Sequence, residues 1–208
     1  MLADLNLDEA NKTAAGLIEA GRHIETVQCD VGDPAQAEHA VQETIHRMGS
    51  IDVLINNAGI DVTCSICELE TAQWESILRT NLHGPFYLAR SAARNMMGHG
   101  HGHIVNITST AAKRAWPNAS AYHASKTGLL GLSHALHAEL RPAGIKVTAV
   151  VAGGMATPFL LGRFPHINQS TLQDPANVAV AIVQLLQLPE DTVVPEITVL
   201  PMGETSWP

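Results

Sequence analysis

The sequence predicts an α/β protein built on a doubly wound parallel sheet, and three observations support this fold class. Short apolar runs rich in β-branched residues alternate with longer stretches of helical periodicity. The runs are apolar throughout, which is typical of parallel strands covered by helices on both faces. Polar or glycine-containing segments follow several of these runs, at the sheet edge where ligands bind in this fold class.

The predicted elements alternate regularly along the chain. We predict strands ending at Asp4 and over residues 27–29, 51–56, 104–108, 145–151 and 193–200. We predict helices over residues 35–48, 71–97, 122–141 and 175–188, the second of them bent at Gly84-Pro85. In the first of these helices Ala37, Ala40, Val41 and Ile45 share one side. Right-handed crossovers between the strands give a doubly wound sheet, and residues 1–208 form one domain.

Composition excludes several other classes of protein. Apolar residues make up 46% of the 208 residues and charged residues 15%, which argues against a disordered chain. The net charge of -8 argues against a nucleic-acid partner. The N-terminus is not a signal peptide, and the most apolar stretch, residues 147–161, is too short and too interrupted to span a membrane. Three cysteines suggest no disulfide scaffold, so we expect a reduced, cytoplasmic compartment.

The sharpest local pattern is Tyr122-His-Ala-Ser-Lys126. On a helix, positions i and i+4 project from one face, so the phenol and the ammonium should lie side by side. A nearby positive charge favours the phenolate, which makes Tyr122 a candidate general acid/base. Taken alone, the pattern is also that of an ordinary helix start with a surface lysine.

Other motifs surround this pattern. They are Asp30-Val31, Asn56-Asn57-Ala58-Gly59 after a strand, a T-N-L-x-G helix that contains Asn81, N-I-T-S ending at Ser109, and G-x-x-x-T ending at Thr157. In this order and spacing they resemble the short-chain dehydrogenase/reductase family, and the resemblance runs from about Leu2 to the C-terminus. It implies a Rossmann-like fold and a nicotinamide-dependent oxidoreductase.

The resemblance implies a catalytic tetrad of Ser109, Tyr122, Lys126 and Asn81. Tyr122 would pass a proton to or from the substrate oxygen, and Ser109 would hydrogen-bond the same oxygen. Lys126 would lower the pKa of Tyr122 and hold the nicotinamide ribose. Asn81 would anchor a water that links Lys126 to solvent. The hydride itself would come from the cofactor.

The resemblance also implies a set of cofactor-binding residues. Asp30 and Val31 resemble the pair that contacts adenine, and Asn57, Ala58 and Gly59 resemble the turn that passes the ribose. Met155 and Thr157 would hold the carboxamide. The family usually has proline where Ala152 stands, and its loss should add freedom to this loop.

Asp4 bears on the choice of cofactor. An acidic side chain at the end of that strand accepts hydrogen bonds from ribose hydroxyls and repels a 2′-phosphate, so we expect NAD rather than NADP. The alternative for Asp4 is a simple helix N-cap for the segment that begins near Leu7.

The front of the chain departs from the family pattern. The family begins with a strand, a glycine-rich turn and a helix that binds the pyrophosphate, and no such turn occurs near Met1. We therefore expect the first strand and first helix to be missing from an N-terminally truncated domain. Whether such a chain folds by itself and is active stays open at this point.

We predict no functional site at two further motifs. Cys64 and Cys67 form a C-x-x-C in a loop, with no second pair to complete a metal site. His99, His101 and His103 lie between a helix and a strand, where a solvated loop is expected. We expect no metal.

The function predicted is therefore interconversion of a secondary alcohol and a ketone with NAD(P), on a small-molecule substrate. Trp116, Met155 and Phe159 are candidates for lining an apolar substrate pocket. In the family, the helices of Asn81 and Tyr122 often pair between subunits, which suggests a homodimer or homotetramer. The alternative is a truncated, catalytically inactive Rossmann-like binding or interaction protein.

Overall fold

The computed structural model describes residues 1–204 of the chain. Six strands are β1 (Leu2–Asp4), β2 (Thr26–Gln28), β3 (Val53–Asn56), β4 (Gly102–Ser109), β5 (Ile145–Ala152) and β6 (Glu196–Val199). Seven α-helices are α1 (Leu7–Glu19), α2 (Pro34–Met48), α3 (Thr71–Leu78), α4 (Gly84–His99), α5 (Ser120–Leu140), α6 (Pro158–Leu161) and α7 (Pro175–Leu186). The α/β fold with parallel strands is confirmed, and most predicted boundaries differ by one to three residues.

Hydrogen bonding divides the strands into two sheets. β1 pairs in parallel with β2, and β3, β4, β5 and β6 form a four-stranded parallel sheet in that order. Within the described residues no ladder joins β1 to β3. Val53 and Ile55 of β3 are correspondingly exposed, at 40% and 45%.

Helices cover both faces of the four-stranded sheet. Ile104 and Val147 pack against Ala92 and Met96 of α4. The neighbouring residues Val105 and Val150 face the opposite way and pack against α7. Because successive side chains of a strand alternate between faces, strands buried on both sides must be apolar at nearly every position. This explains why the apolar runs of β4 and β5 predict the parallel sheet.

The long helix predicted over residues 71–97 is three segments in one run. α3 passes into a π-helical turn, Arg79–His83, and α4 follows directly. A π turn holds one extra residue, which rotates the helix after it relative to the helix before it. The π-helical turn thus lies immediately before Gly84-Pro85, where the sequence predicts a bend.

Local capping signals set where α1 and α2 begin. Asn6 is the N-cap of α1, and its side chain accepts hydrogen bonds from the backbone amides of Asp8 and Glu9. Asp33 does the same for α2, with Pro34 at the first helical position. The interpretation of Asp4 as a helix N-cap is thus wrong by two residues, because Asn6 has that position.

Candidate active site

A cleft of about 1070 Å³ opens at the carboxyl ends of the first five strands. Of the residues predicted for the site, all but Asn81 line this cleft. They are Asp4, Asp30, Val31, Asn57, Ala58, Gly59, Ser109, Tyr122, Lys126, Met155 and Thr157. Parallel strands bring their carboxyl ends to one edge, so segments far apart in sequence meet there.

Tyr122, Lys126 and Ser109 meet at the centre of this edge. Tyr122 and Lys126 are one turn apart near the start of α5, with the Lys126 Nζ 5.7 Å from the centre of the Tyr122 ring. Lys126 is buried, and its Nζ donates to the backbone oxygen of Ile107 at 2.9 Å. Ser109 ends β4 and lies close enough to hydrogen-bond the phenol. The i, i+4 spacing therefore brings the phenol and the ammonium together as predicted.

Burial changes the acidity of both groups. It raises the pKa of Tyr122 above its ordinary value, while the Ser109 hydrogen bond and the charge of Arg163 act in the opposite direction. Burial lowers the pKa of Lys126 to about 8. The sequence predicts that Lys126 lowers the pKa of Tyr122. In the structure without ligand, desolvation of the phenol outweighs the groups that favour its ionisation.

Asn81 lies in the π-helical turn and is fully buried. Its Oδ1 accepts from the backbone N–H of Ile60 at 2.8 Å, and its Nδ2 donates to the backbone oxygen of Ile60 and to the Ser125 Oγ. Ser125 in turn donates to the backbone oxygen of Tyr122 at 2.8 Å. The Asn81 side chain thus ties the turn after β3 to the start of α5. Its role as a water anchor stays a prediction.

A second chain of buried amides lies along the same elements. Asn56 at the end of β3 donates to the Asn106 Oδ1 at 2.8 Å, and Asn106 donates to the Ser133 Oγ of α5 at 2.9 Å. Ser133 completes the chain by donating to the backbone oxygen of Leu129 at 2.7 Å. These bonds fix β3, β4 and α5 relative to one another, and so fix Ser109 relative to Tyr122.

The cofactor-side residues predicted at the ends of β1 and β2 are held by local contacts. Asp4 is exposed, and its Oδ1 accepts from the backbone N–H of Asn6 at 2.8 Å. Asp30 accepts from the backbone N–H of Gly32 at 2.9 Å. Val31 packs on Gly84, where a Cβ would come within 2.8 Å of the Val31 side chain. A larger residue at position 84 would therefore push Val31 toward the cleft.

The segment after β5 is more firmly held than the sequence suggests. Met155 forms a bridge with Gln173, and the N–H of Ala156 donates to the Gln173 backbone oxygen at 2.9 Å. The buried Gln173 side chain donates to the oxygen of Val199 at 3.1 Å. The added freedom expected from the missing proline is therefore opposed by these hydrogen bonds, which fix Met155 beside Thr157.

His123 is a structural part of the site that sequence reasoning missed. Its Nδ1 lies 2.8 Å from the backbone oxygen of Ala111, and its Nε2 accepts from the N–H of Trp116 at 3.1 Å. Because Nε2 accepts a hydrogen bond, Nδ1 is the nitrogen that donates to the Ala111 oxygen, and the ring bridges the loop to α5. The Trp116 ring packs edge-on against the imidazole, with centroids 4.4 Å apart. The position next to Tyr122 was the available sequence signal.

Asp61 and Arg163 were also missed, although both line the cleft. The Arg163 Nη1 forms an ion pair with the Asp61 Oδ2 across 102 residues of sequence. The side chain of Asp61 is 3% exposed, and that of Arg163 is 19% exposed. Burial raises the pKa of Asp61, which the Arg163 charge opposes. Neither residue belongs to a motif, so the sequence contained no signal for the pair.

The cleft fits a nicotinamide dinucleotide in size and in donor chemistry. Its volume lies at the upper end of the range for ligand sites, and it passes the ends of β1 to β5 in one continuous edge. At Gly59 a Cβ would lie 3.6 Å from the Lys126 Nζ and 3.7 Å from the Asn81 Oδ1. Gly59 therefore lies within van der Waals range of both the Lys126 ammonium and the Asn81 amide.

Comparison with known proteins assigns the family. The family model for short chain dehydrogenases matches residues 1–166. The chain therefore belongs to the short-chain dehydrogenase family, and its relatives are oxidoreductases.

An uncharacterized oxidoreductase of Escherichia coli, YohF, is 38% identical over 150 residues, which are 72% of this chain and 59% of the relative. The chain spans less than two thirds of the length of this relative and of another curated one. Among solved structures, acetoin dehydrogenase YohF of Salmonella typhimurium is similar, with a TM-score of 0.81 and 30% identity over 95% of this chain and 81% of that one. A gluconate 5-dehydrogenase of Burkholderia cenocepacia in complex with NADP and tartrate gives a TM-score of 0.73 and 32% identity over 76% and 62%.

Other candidate sites receive no support from the structure. Between residues 1 and 204, no group of three or more histidine, cysteine or acidic side chains is placed to hold a metal ion. Cys29, Cys64 and Cys67 are free thiols, and His103 is buried against the Thr148 hydroxyl. No helix in the described part of the chain is long and apolar enough to cross a membrane.

Proposed function

We propose that the chain is an NAD(P)-dependent oxidoreductase that interconverts a secondary alcohol and a ketone. The observation that carries the proposal is the placement of Ser109, Tyr122 and the buried Lys126 together at the ligand edge of the sheet. Two similar structures support the substrate class, since one is named an acetoin dehydrogenase and the other a gluconate 5-dehydrogenase. Acetoin and gluconate both carry secondary alcohols.

Tyr122 is the proton donor and acceptor in this proposal. In the reduction direction its hydroxyl protonates the developing alkoxide, and in oxidation it takes the hydroxyl proton of the substrate. Ser109 donates a hydrogen bond to the same oxygen and stabilises the charge that forms on it. A phenol with a raised pKa is held protonated in the resting protein, which suits the reduction direction.

The residues around the tetrad would hold the cofactor. When bound, NAD(P) supplies or accepts the hydride. Lys126 would donate to the nicotinamide ribose, and Met155 and Thr157 would face the carboxamide. Asp30, Val31, Asn57, Ala58 and Gly59 would contact the adenosine and ribose. Asp4 predicts a preference for NAD, whereas the similar gluconate 5-dehydrogenase holds NADP.

The experiment is turnover of the 208-residue chain, followed by nicotinamide absorbance at 340 nm with a panel of secondary alcohols and ketones that includes acetoin and gluconate. Tyr122→Phe should reduce kcat by about 10³-fold, because it removes the proton while keeping the ring. The matched control is Tyr87→Phe, the other tyrosine of the chain, which lies outside the cleft and should keep turnover. Survival of turnover in Tyr122→Phe would exclude the tetrad assignment.

Cofactor binding distinguishes the proposed enzyme from the alternative function. If the wild-type chain neither turns over nor binds NADH or NADPH, measured by nicotinamide fluorescence, the proposal is wrong for this chain. The inactive Rossmann-like binding protein predicted as the alternative would then be favoured. Binding without turnover on the whole panel would instead keep the cofactor site and reject the substrate class.

A further inference from the structure

Arg163 lies beside the candidate proton donor, on a segment outside every recognised motif. Its guanidinium carbon is 3.9 Å from the centre of the Phe159 ring and 5.9 Å from the centre of the Tyr122 ring. The Phe159 and Tyr122 rings are themselves 6.0 Å apart. The guanidinium is therefore stacked on one ring and faces the second, which places a permanent positive charge near the phenol.

Asp61 fixes that charge in place. Its Oδ2 pairs with the Arg163 Nη1, and its side chain is 3% exposed. The Asp61 Oδ1 is buried and has no partner with hydrogen-bond geometry in the described structure. A buried carboxylate is costly unless a cation balances it, so Asp61 and Arg163 hold each other at the cleft wall.

Lys126, the other cation near Tyr122, differs from Arg163 in two ways. Its ammonium lies at a similar distance from the ring centre, 5.7 Å, but it is hydrogen-bonded to the Ile107 backbone oxygen. Its charge is lost as the pH rises through about 8, because burial lowers its pKa to that value. An arginine guanidinium stays charged at every accessible pH. The guanidinium therefore supplies a positive charge beside Tyr122 that does not depend on pH.

We propose that the Asp61–Arg163 pair adjusts the acidity of the buried Tyr122 phenol, with Arg163 favouring the phenolate and Asp61 opposing it. Both are positioning residues, since neither is placed at the reacting atoms. The charged and polar groups that face Tyr122 are Lys126 on α5, Ser109 at the end of β4, Asp61 after β3 and Arg163 after α6. The role of the pair in turnover rests on the proposed function, but its effect on the phenol does not.

The ionisation of Tyr122 can be measured without turnover, because the chain has two tyrosines. Both are replaced biosynthetically by 3,5-difluorotyrosine, which brings the phenol titration toward neutral pH, where the fold is kept. Two ¹⁹F resonances are followed against pH. Tyr122→Phe removes one resonance and so assigns it, and Tyr87 serves as an internal reference in every variant.

The two partners should shift the Tyr122 midpoint in opposite directions. Arg163→Gln removes the cation and should raise the midpoint by about one pH unit. Asp61→Asn removes the anion while Arg163 stays stacked on Phe159, and should lower the midpoint by a smaller amount. Arg163→Lys keeps the charge and should stay close to wild type. The double variant of Asp61→Asn and Arg163→Gln should fall between the single variants.

Arg22→Gln is the matched control, since it makes the same charge change at an exposed position outside the cleft. Circular dichroism checks the fold of each variant. If Arg163→Gln does not fold, Asp61→Asn and Arg163→Lys still give a decision. The proposal is overturned if Arg163→Gln and Asp61→Asn shift Tyr122 in the same direction, or by no more than Arg22→Gln does.

Turnover separates this inference from the proposed function. In an active chain, the pH dependence of kcat should move with the Tyr122 midpoint, up in Arg163→Gln and down in Asp61→Asn. If no substrate is turned over but the ¹⁹F midpoints shift as predicted, the proposed function fails and the role of the pair stands. If a substrate is turned over but the ¹⁹F midpoints do not shift, the proposed function stands and the role of the pair fails.

Discussion

The sheet of β1 and β2 and the sheet of β3 to β6 hold their polar side chains in different ways. In the four-stranded sheet and the α5 helix that covers it, the site amides and the lysine are buried and bonded to distant elements, as Asn106 is to Asn56 and Ser133, and Lys126 to Ile107. In the two-stranded sheet the bonds are exposed, for example from Gln28 to Leu5 and from Asn6 to Asp4.

Under the proposed function, this difference separates two tasks of the cleft. Proton transfer requires groups fixed to within a fraction of an ångström, and buried hydrogen bonds supply that before any ligand binds. Contact with the adenosine end requires only hydrogen-bonding groups that adapt to a flexible ligand. We therefore expect substitutions in the four-stranded sheet to change stability, and substitutions at Asp4 to change ligand preference.

The largest expected effect tests the buried amides directly. Asn106→Leu keeps the size of the side chain but leaves the Asn56 amide and the Ser133 hydroxyl without their partner. It should lower the free energy of unfolding by about 3 kcal/mol, measured by urea denaturation. Gln28→Leu, the matched amide in the two-stranded sheet, should cost less than about 1 kcal/mol because water replaces its exposed bond. Equal costs would contradict the comparison.

An intermediate effect is expected from two buried titratable groups, Lys126 and Cys29, whose pKa values burial shifts in opposite directions. Burial lowers the pKa of Lys126 from 10.5 to about 8, so between pH 8 and 10.5 the unfolded state binds more protons and stability rises with pH. Burial, with help from Asp30 and Asp33, raises the pKa of Cys29 from 9.0 to about 11, so stability falls with pH between those values.

Each group should change the free energy of unfolding by about 2 kcal/mol over 1.5 pH units. Between pH 9 and 10.5 the two slopes cancel in the wild type, so Lys126→Met should leave a fall in stability over this range and Cys29→Ala should leave a rise. Urea denaturation of wild type and variants across this range gives the two contributions as differences. A Lys126→Met variant without the fall would show that the thiol is solvated, and a Cys29→Ala variant without the rise would show the same of the lysine.

The sequence predicts these regions to different extents, for physical reasons. Tyr122 and Lys126 are one helical turn apart, so their proximity follows from local geometry alone. The π turn at Asn81 depends on contacts between distant segments, which periodicity does not encode. The acidity of Tyr122 was predicted from its neighbour but depends first on burial, a property of the folded chain.

The Asp61–Arg163 ion pair could not be predicted from the sequence. An aspartate two residues after Gly59 and an arginine in a loop are each ordinary alone, and only the fold makes them a pair. By contrast, the residues predicted from the strand-end motifs all line the cleft, because every parallel strand brings its carboxyl end to the same edge.

The smallest expected effect concerns Asp4, an exposed residue at the end of β1 in the two-stranded sheet. Asp4→Asn keeps an oxygen that can accept from the Asn6 amide, so stability should change by less than about 0.5 kcal/mol. Removal of the charge should favour NADP relative to NAD by about fivefold, or about 1 kcal/mol, measured as the ratio of their dissociation constants. Asp8→Asn makes the same charge change outside the cleft lining and should leave the ratio unchanged. If both variants change the ratio equally, the overall field rather than a contact at Asp4 sets the preference; if neither does, the carboxylate does not face the ribose.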